Sequence, residues 1–112
     1  MTTDPKPQSE IEGVVSLADL VRHQPGTVIS RPIMKKATGT VTAFAFDVGD
    51  GLSEHTAAFD GLIIGIEGEA SIRIAGDSFH LSAGDILRLP AGRPHALAAT
   101  APFRMLLVMI RE

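Results

Sequence analysis

The chain has 112 residues, 45% of them hydrophobic, a formal net charge of −3, and no cysteine, tryptophan or tyrosine. That length holds one hydrophobic core and leaves no room for a second. Disulfides and thiolate zinc sites are excluded, no basic cluster offers nucleic acid a footprint, and no apolar run approaches the roughly 20 residues that span a bilayer. The core must be built from Ile, Leu, Val, Ala and Met around five Phe. The first ten residues are polar and lack an apolar signal core, which fits a cytoplasmic protein.

Residues 1 to about 12 read as a Pro-containing polar tail that buries too little to order itself, ahead of a domain over residues 13 to 112. Ser16 to Asp19 looks like a helix start: Ser16 can cap, Asp19 suits the positive end of the dipole, and Leu17, Leu20 and Val21 share a face. Pro25 and Gly26 limit this helix to about two turns. His23 then falls near its C-terminal end, where the dipole favours it.

From Thr27 onward the pattern is β. Thr27 to Arg31 and Ile33 to Lys36 read as short strands broken by Pro32, and Thr40 to Asp47 as a longer one. Further strands are expected at Leu52 to Ala57, Leu62 to Ile66, Glu69 to Ile74, Ser78 to Leu81, Ile86 to Leu89, His95 to Ala99 and Phe103 to Ile110. Glycine turns separate nearly all of them, and short strands at such even spacing indicate an all-β sandwich or barrel.

Two strands are apolar on both faces. In Phe103 to Ile110, Met105, Leu107 and Met109 point one way and Leu106, Val108 and Ile110 the other, and Val41 to Phe46 repeats the pattern. A barrel strand needs only one buried face, so a second subunit is expected on the other, making a homodimer.

Two histidines, His55 and His95, each arrive at a strand end after a glycine turn. Gly49, five residues, His55, Ala57, Gly61 and Gly68 resemble the first motif of the cupins, and Gly84, five residues, Pro90, Gly92 and His95 resemble the second. The resemblance implies a jelly-roll β-barrel of antiparallel strands, usually dimeric, with a site in its mouth. In cupins that hold a metal, two histidines and a glutamate from the first motif and one histidine from the second are its ligands. Here His55 and His95 match the first and last, while Ala57 and Gly61 stand where the second histidine and the glutamate would be, and Ala99 where the second motif ends in asparagine.

Two imidazoles alone hold a divalent ion weakly, since a catalytic site generally keeps three protein ligands and an open position. Asp60, just before Gly61, could bend back as a carboxylate ligand, and Met105 could offer a soft thioether. His80 is expected to face outward, because Phe79 and Leu81 have inward parity. Arg73 and Arg88 read as solvated face between inward-pointing Ile72, Ile74, Leu87 and Leu89.

Two classes of function follow. In the first, a small organic ligand is bound in the barrel mouth by His55 and His95 over an apolar lining of Ile64, Ile72, Ile74, Leu89 and Met105, with or without a weakly held Zn, Ni, Fe or Mn ion. In the second, the protein is a metal-dependent oxygenase, isomerase or lyase acting on a small organic acid or phenol, with His55, His95 and Asp60 at the metal. No acid or base is clearly aimed inward besides the two histidines, which favours the first.

Overall fold

The computed structural model describes residues 11–111. All but the end of the expected N-terminal tail therefore lies outside the described residues. Within them run nine strands: β1 (Val28–Lys36), β2 (Gly39–Phe46), β3 (Gly51–His55), β4 (Asp60–Glu67), β5 (Glu69–Ile74), β6 (Asp77–Ser82), β7 (Ile86–Leu89), β8 (His95–Ala99) and β9 (Phe103–Ile110). They form two sheets of antiparallel neighbours, one in the order β1-β2-β9-β4-β7 and the other β3-β8-β5-β6. This is the all-β jelly roll that the sequence led us to expect.

Strand β5 shows why the chain folds this way. Ala70, Ile72 and Ile74 are buried while Glu69, Ser71 and Arg73 are exposed, the two-residue alternation of a strand with one face on a core. The inward faces of the two sheets meet over Phe46, Ile63, Ile72, Leu81, Leu89, Leu97, Phe103 and Met105. Burying each of the larger of these side chains contributes about 1.5–3 kcal/mol. Phe44, Phe46 and Phe103 stack in series with ring centroids 5.7 and 6.1 Å apart, filling the middle of a barrel that has no larger aromatic.

Four local expectations are corrected. Residues 28–36 make one strand instead of two, because β1 lies at the sheet edge, where Pro32 interrupts no ladder and a register shift between Pro32 and Met34 absorbs it. The two-turn helix is a single 3₁₀ turn, Leu17–Asp19, although Ser16 caps it as expected by accepting from the Ala18 amide at 3.3 Å. Carbonyls that a longer helix would use are taken by guanidinium groups of the sheet: Arg104 donates to Ala18 and Val21, and Arg31 to Leu20. Leu20 and Val21 are buried against Ala43 and Ala45, whereas Leu17 is exposed, so the three do not share a face. Finally, Phe79 is exposed although Leu81 is buried, since β6 is the last strand of its sheet. Among the described residues no helix is long and apolar enough to cross a membrane.

Candidate functional site

Strands β3 and β8 end side by side, with His55 directly opposite His95. Leu52 pairs with Leu97 in the same ladder, and the register shifts between Leu52 and His55. That extra residue in β3 is what lets two side chains three positions apart line the same cavity, which strict alternation would forbid. The imidazole centroids lie 4.4 Å apart, edge to face at 66°.

Each ring is fixed by the carbonyl two residues before it in the chain. His55 Nδ1 lies 2.8 Å from the Ser53 carbonyl and His95 Nδ1 3.3 Å from the Arg93 carbonyl. A carbonyl only accepts, so both Nδ1 atoms carry hydrogen, and in the neutral rings both Nε2 atoms are bare acceptors. Burial pushes the pKa of His95 below its ordinary value; the Arg93 carbonyl opposes this, and the charge of His55 adds to it.

The loop that delivers His95 is pinned at three points. The Ala91 amide donates to Asp60 Oδ1 at 2.9 Å, the Gly92 amide to the Ala57 carbonyl at 2.8 Å, and the Ala75 amide to the Pro94 carbonyl at 2.8 Å. Asp60 is thereby accounted for. It alternates with inward-facing Gly61 and Ile63, is exposed, and holds a loop instead of turning back towards the histidines.

Beneath the imidazole pair lies a cavity of about 30 Å³, room for about two waters. Of the lining expected from the sequence, Ile72, Leu89 and Met105 are on its wall. Ile64 is not: Ile63 is the inward residue of β4, and Ile64 lies on the opposite face, paired with Leu106 and Ile86. The signal was available, because Gly61 occupies an inward position of the motif and two-residue alternation then selects Ile63. Ile74 is buried in the core beside His95 but off the cavity wall. Leu52, Ile63, Ala96, Leu97, Leu107 and Met109 complete the lining without having been singled out for it.

The donor set does not fit the four-ligand metal centre that the motif implies. Among the described residues no three His, Cys, Asp or Glu side chains cluster closely enough to hold an ion. A divalent ion would find two imidazole nitrogens and no carboxylate.

His80 faces outward as expected, 3.0 Å from Glu69. His23 is not at a helix end; its Nε2 donates to Glu67 at 2.7 Å. Glu67 also takes a two-pronged contact from Arg104, with Nε to Oε1 at 3.0 Å and Nη2 to Oε2 at 3.1 Å. The His23 hydrogen bond holds the Glu67 carboxyl below its ordinary pKa, with Arg104 adding to it against the opposing effect of partial burial. None of these groups was recognised in the sequence as a unit, because 44 positions separate His23 from Glu67 and 37 separate Glu67 from Arg104.

Comparison with known proteins bears on this geometry. A conserved protein of unknown function from Streptococcus pyogenes superposes with a TM-score of 0.88 at 28% identity, over 94% of this chain and 92% of that one. A cupin superfamily protein from Desulfitobacterium hafniense superposes with a TM-score of 0.86 at 27% identity, over 94% and 96% of the two chains. A cupin 2 conserved barrel domain protein from Leptotrichia buccalis is 32% identical over 85% of this chain and 46% of that longer one, with a TM-score of 0.82. No protein of curated function matches significantly. The family model described as Cupin domain matches residues 44–110, which include both histidine motifs and the whole cavity wall, and the chain therefore belongs to the cupin domain family.

Proposed function

We propose that this small cupin barrel binds a small organic molecule at its mouth, and that the molecule presents a hydrogen-bond donor, such as a hydroxyl group, to His55 and His95. The observation that carries this reading is the pair of Nδ1–carbonyl hydrogen bonds. With both Nδ1 hydrogens engaged, two Nε2 lone pairs are left on adjacent rings above an apolar wall. A carboxylate offers acceptors only and would require a protonated ring, which the lowered pKa of His95 disfavours at neutral pH. The space below the rings is too small to enclose an organic ligand, so such a ligand rests on the mouth and its apolar edge meets Leu52, Leu107 and Met109. His55 and His95 are the titratable residues of the lining, and among the described residues no further acid or base joins them on the cavity wall, which favours binding over catalysis.

The test is nuclear magnetic resonance of the imidazole nitrogens in metal-free protein at neutral pH, with polyols, phenols and simple carboxylates added in turn. Hydroxyl-bearing compounds should move both Nε2 resonances, carboxylates should not, and His95→Gln should abolish the response. If no compound moves either ring at millimolar concentration, the reading fails.

A further inference from the structure

We infer that the outer face of the four-stranded sheet carries a second binding site, for the carboxylate of a small molecule or of an acidic side chain, held by Arg73 with the hydroxyls of Ser71 and Ser78. This goes beyond the organic-ligand reading and uses none of the polar groups of the barrel mouth.

Strand β5 runs between β8 and β6. Its alternation buries Ile72 and Ile74 and turns Ser71 and Arg73 outwards. In the two ladders Arg73 lies opposite Ser78 and Ala96, and Ser71 lies opposite His80 and Ala98. Facing partners on a sheet stand about 4.5–5.5 Å apart and diagonal ones about 7–8 Å. The guanidinium therefore has one hydroxyl directly across from its strand and a second two positions back along it. These three residues, with Ala96, Leu97 and Ala98, line a groove of about 260 Å³.

Two features of this groove set it apart from an ordinary solvated face. The first is an unbalanced charge. An opposite charge across a ladder is stabilising, and in the next row the face has such a pair, with His80 3.0 Å from Glu69. Arg73 has none: its facing partners are a serine and an alanine, no acid lines the groove, and among the described residues it makes neither an ion pair nor a hydrogen bond. Glu54 stands on β3, two strands away and so about 9–10 Å distant. The second feature is the floor. An antiparallel sheet with one face on a core turns polar side chains to water on the other, whereas β8 turns out Ala96 and Ala98. Short side chains there leave the groove open beside Arg73.

The donor set selects the ligand. A guanidinium gives a carboxylate two parallel hydrogen bonds, and serine hydroxyls can donate to its remaining lone pairs. One cation suits a monoanion; a phosphate dianion would meet a single positive charge on a chain of net charge −3. The alanine methyls offer a short apolar body a dry surface to lie on. Because Arg73 is exposed, water and salt screen the pair, and the affinity belongs in the millimolar range.

The experiment follows the backbone amides of residues 71, 73, 78, 96 and 98 and the Arg73 Nε–H by nuclear magnetic resonance. Sodium propionate represents a free acid, and a capped tripeptide with a central glutamate represents an acidic segment of another protein. Sodium chloride at equal ionic strength is the control. At least one of the two carboxylates should shift these signals saturably at millimolar concentration, and the one that saturates at the lower concentration names the source. Arg73→Gln should abolish the saturable response, and Ser78→Ala should weaken it about three- to tenfold, the loss of one modest hydrogen bond. Melting curves check that both variants are folded. A His55→Gln, His95→Gln double variant should respond as wild type does, which separates this site from the mouth. The inference is overturned if neither carboxylate gives a saturable shift, if chloride or inorganic phosphate reproduces it, if Arg73→Gln retains it, or if the double variant loses it.

Discussion

His95 is where burial and a like-charged neighbour act on one group in the same direction. Desolvation lowers its pKa, the carbonyl of Arg93 resists, and the nearness of His55 lowers it further. A histidine in the unfolded chain titrates near about 6.5. As pH falls through that value the unfolded chain takes up a proton that folded His95 withholds until its own lower pKa, so the unfolded state gains and stability declines. Above about 6.5 both states are neutral at this ring and the effect vanishes. Between about pH 7 and pH 5, thermal unfolding of the wild type should therefore shift down further than that of His95→Gln. Parallel shifts in the two proteins would show that the ring is freely protonated where it stands.

At the scale of elements, the segment before β1 is a strap fastened by side chains. Leu20 and Val21 cover Ala43 and Ala45, Arg104 reaches across to the carbonyls of Ala18 and Val21, and Glu67 joins Arg104 to His23. The Arg104 side chain is only 13% exposed, so its loss leaves two carbonyls without their partner and the Glu67 carboxylate with His23 alone. Arg104→Met keeps the apolar stem and should cost about 2–4 kcal/mol, read from the shift of the urea midpoint at pH 7. Because the Glu67 carboxyl is held below its ordinary pKa, its share of that energy is present above the unfolded value and is lost as pH falls through the folded one. The gap between variant and wild type should accordingly narrow in acid; a gap independent of pH would place the energy in the carbonyl contacts alone. This clasp was not legible in the sequence, since its members are far apart and each is an ordinary surface residue by type. Strands were far more legible: β5, β7, β8 and β9 have the limits that alternation and turn residues indicated, because each turns apolar side chains to the core and a glycine or proline stands immediately before or after it. The site was legible in part. Motif spacing brought His55 and His95 together, but the cavity wall depends on cross-strand register and on the bulge in β3, which become visible only once the partner strand is known.

For the molecule as a whole, the unresolved balance lies on the outer face of the five-stranded sheet. The register places Ala43, Leu106, Ile64 and Ile86 in one row across it and Met34, Val41, Val108 and Leu62 in the next. The strap covers the Ala43 end only, with Leu106 at its border. Beyond it Met34, Ile86 and Ile110 remain 49%, 62% and 56% exposed, and a groove bounded by Met34, Val41, Val108 and Ile110 lies open. Isolated apolar residues on a surface need no explanation, but two adjoining rows of them across a sheet mark an interaction face. We propose a second copy of the chain as the occupant, because a twofold axis makes one face complementary to itself, and light scattering at micromolar concentration should then give about twice the 11.8 kDa chain mass. Val108 is the residue to test, because it lies in the open row while Leu106 also supports the strap. Val108→Asp should halve the mass while leaving the far-ultraviolet circular dichroism of the barrel unchanged, since an unpaired carboxylate is costly in a buried interface and cheap on a solvated face. A wild-type mass of one chain at high concentration would leave these rows facing water, and the face would then need a different partner.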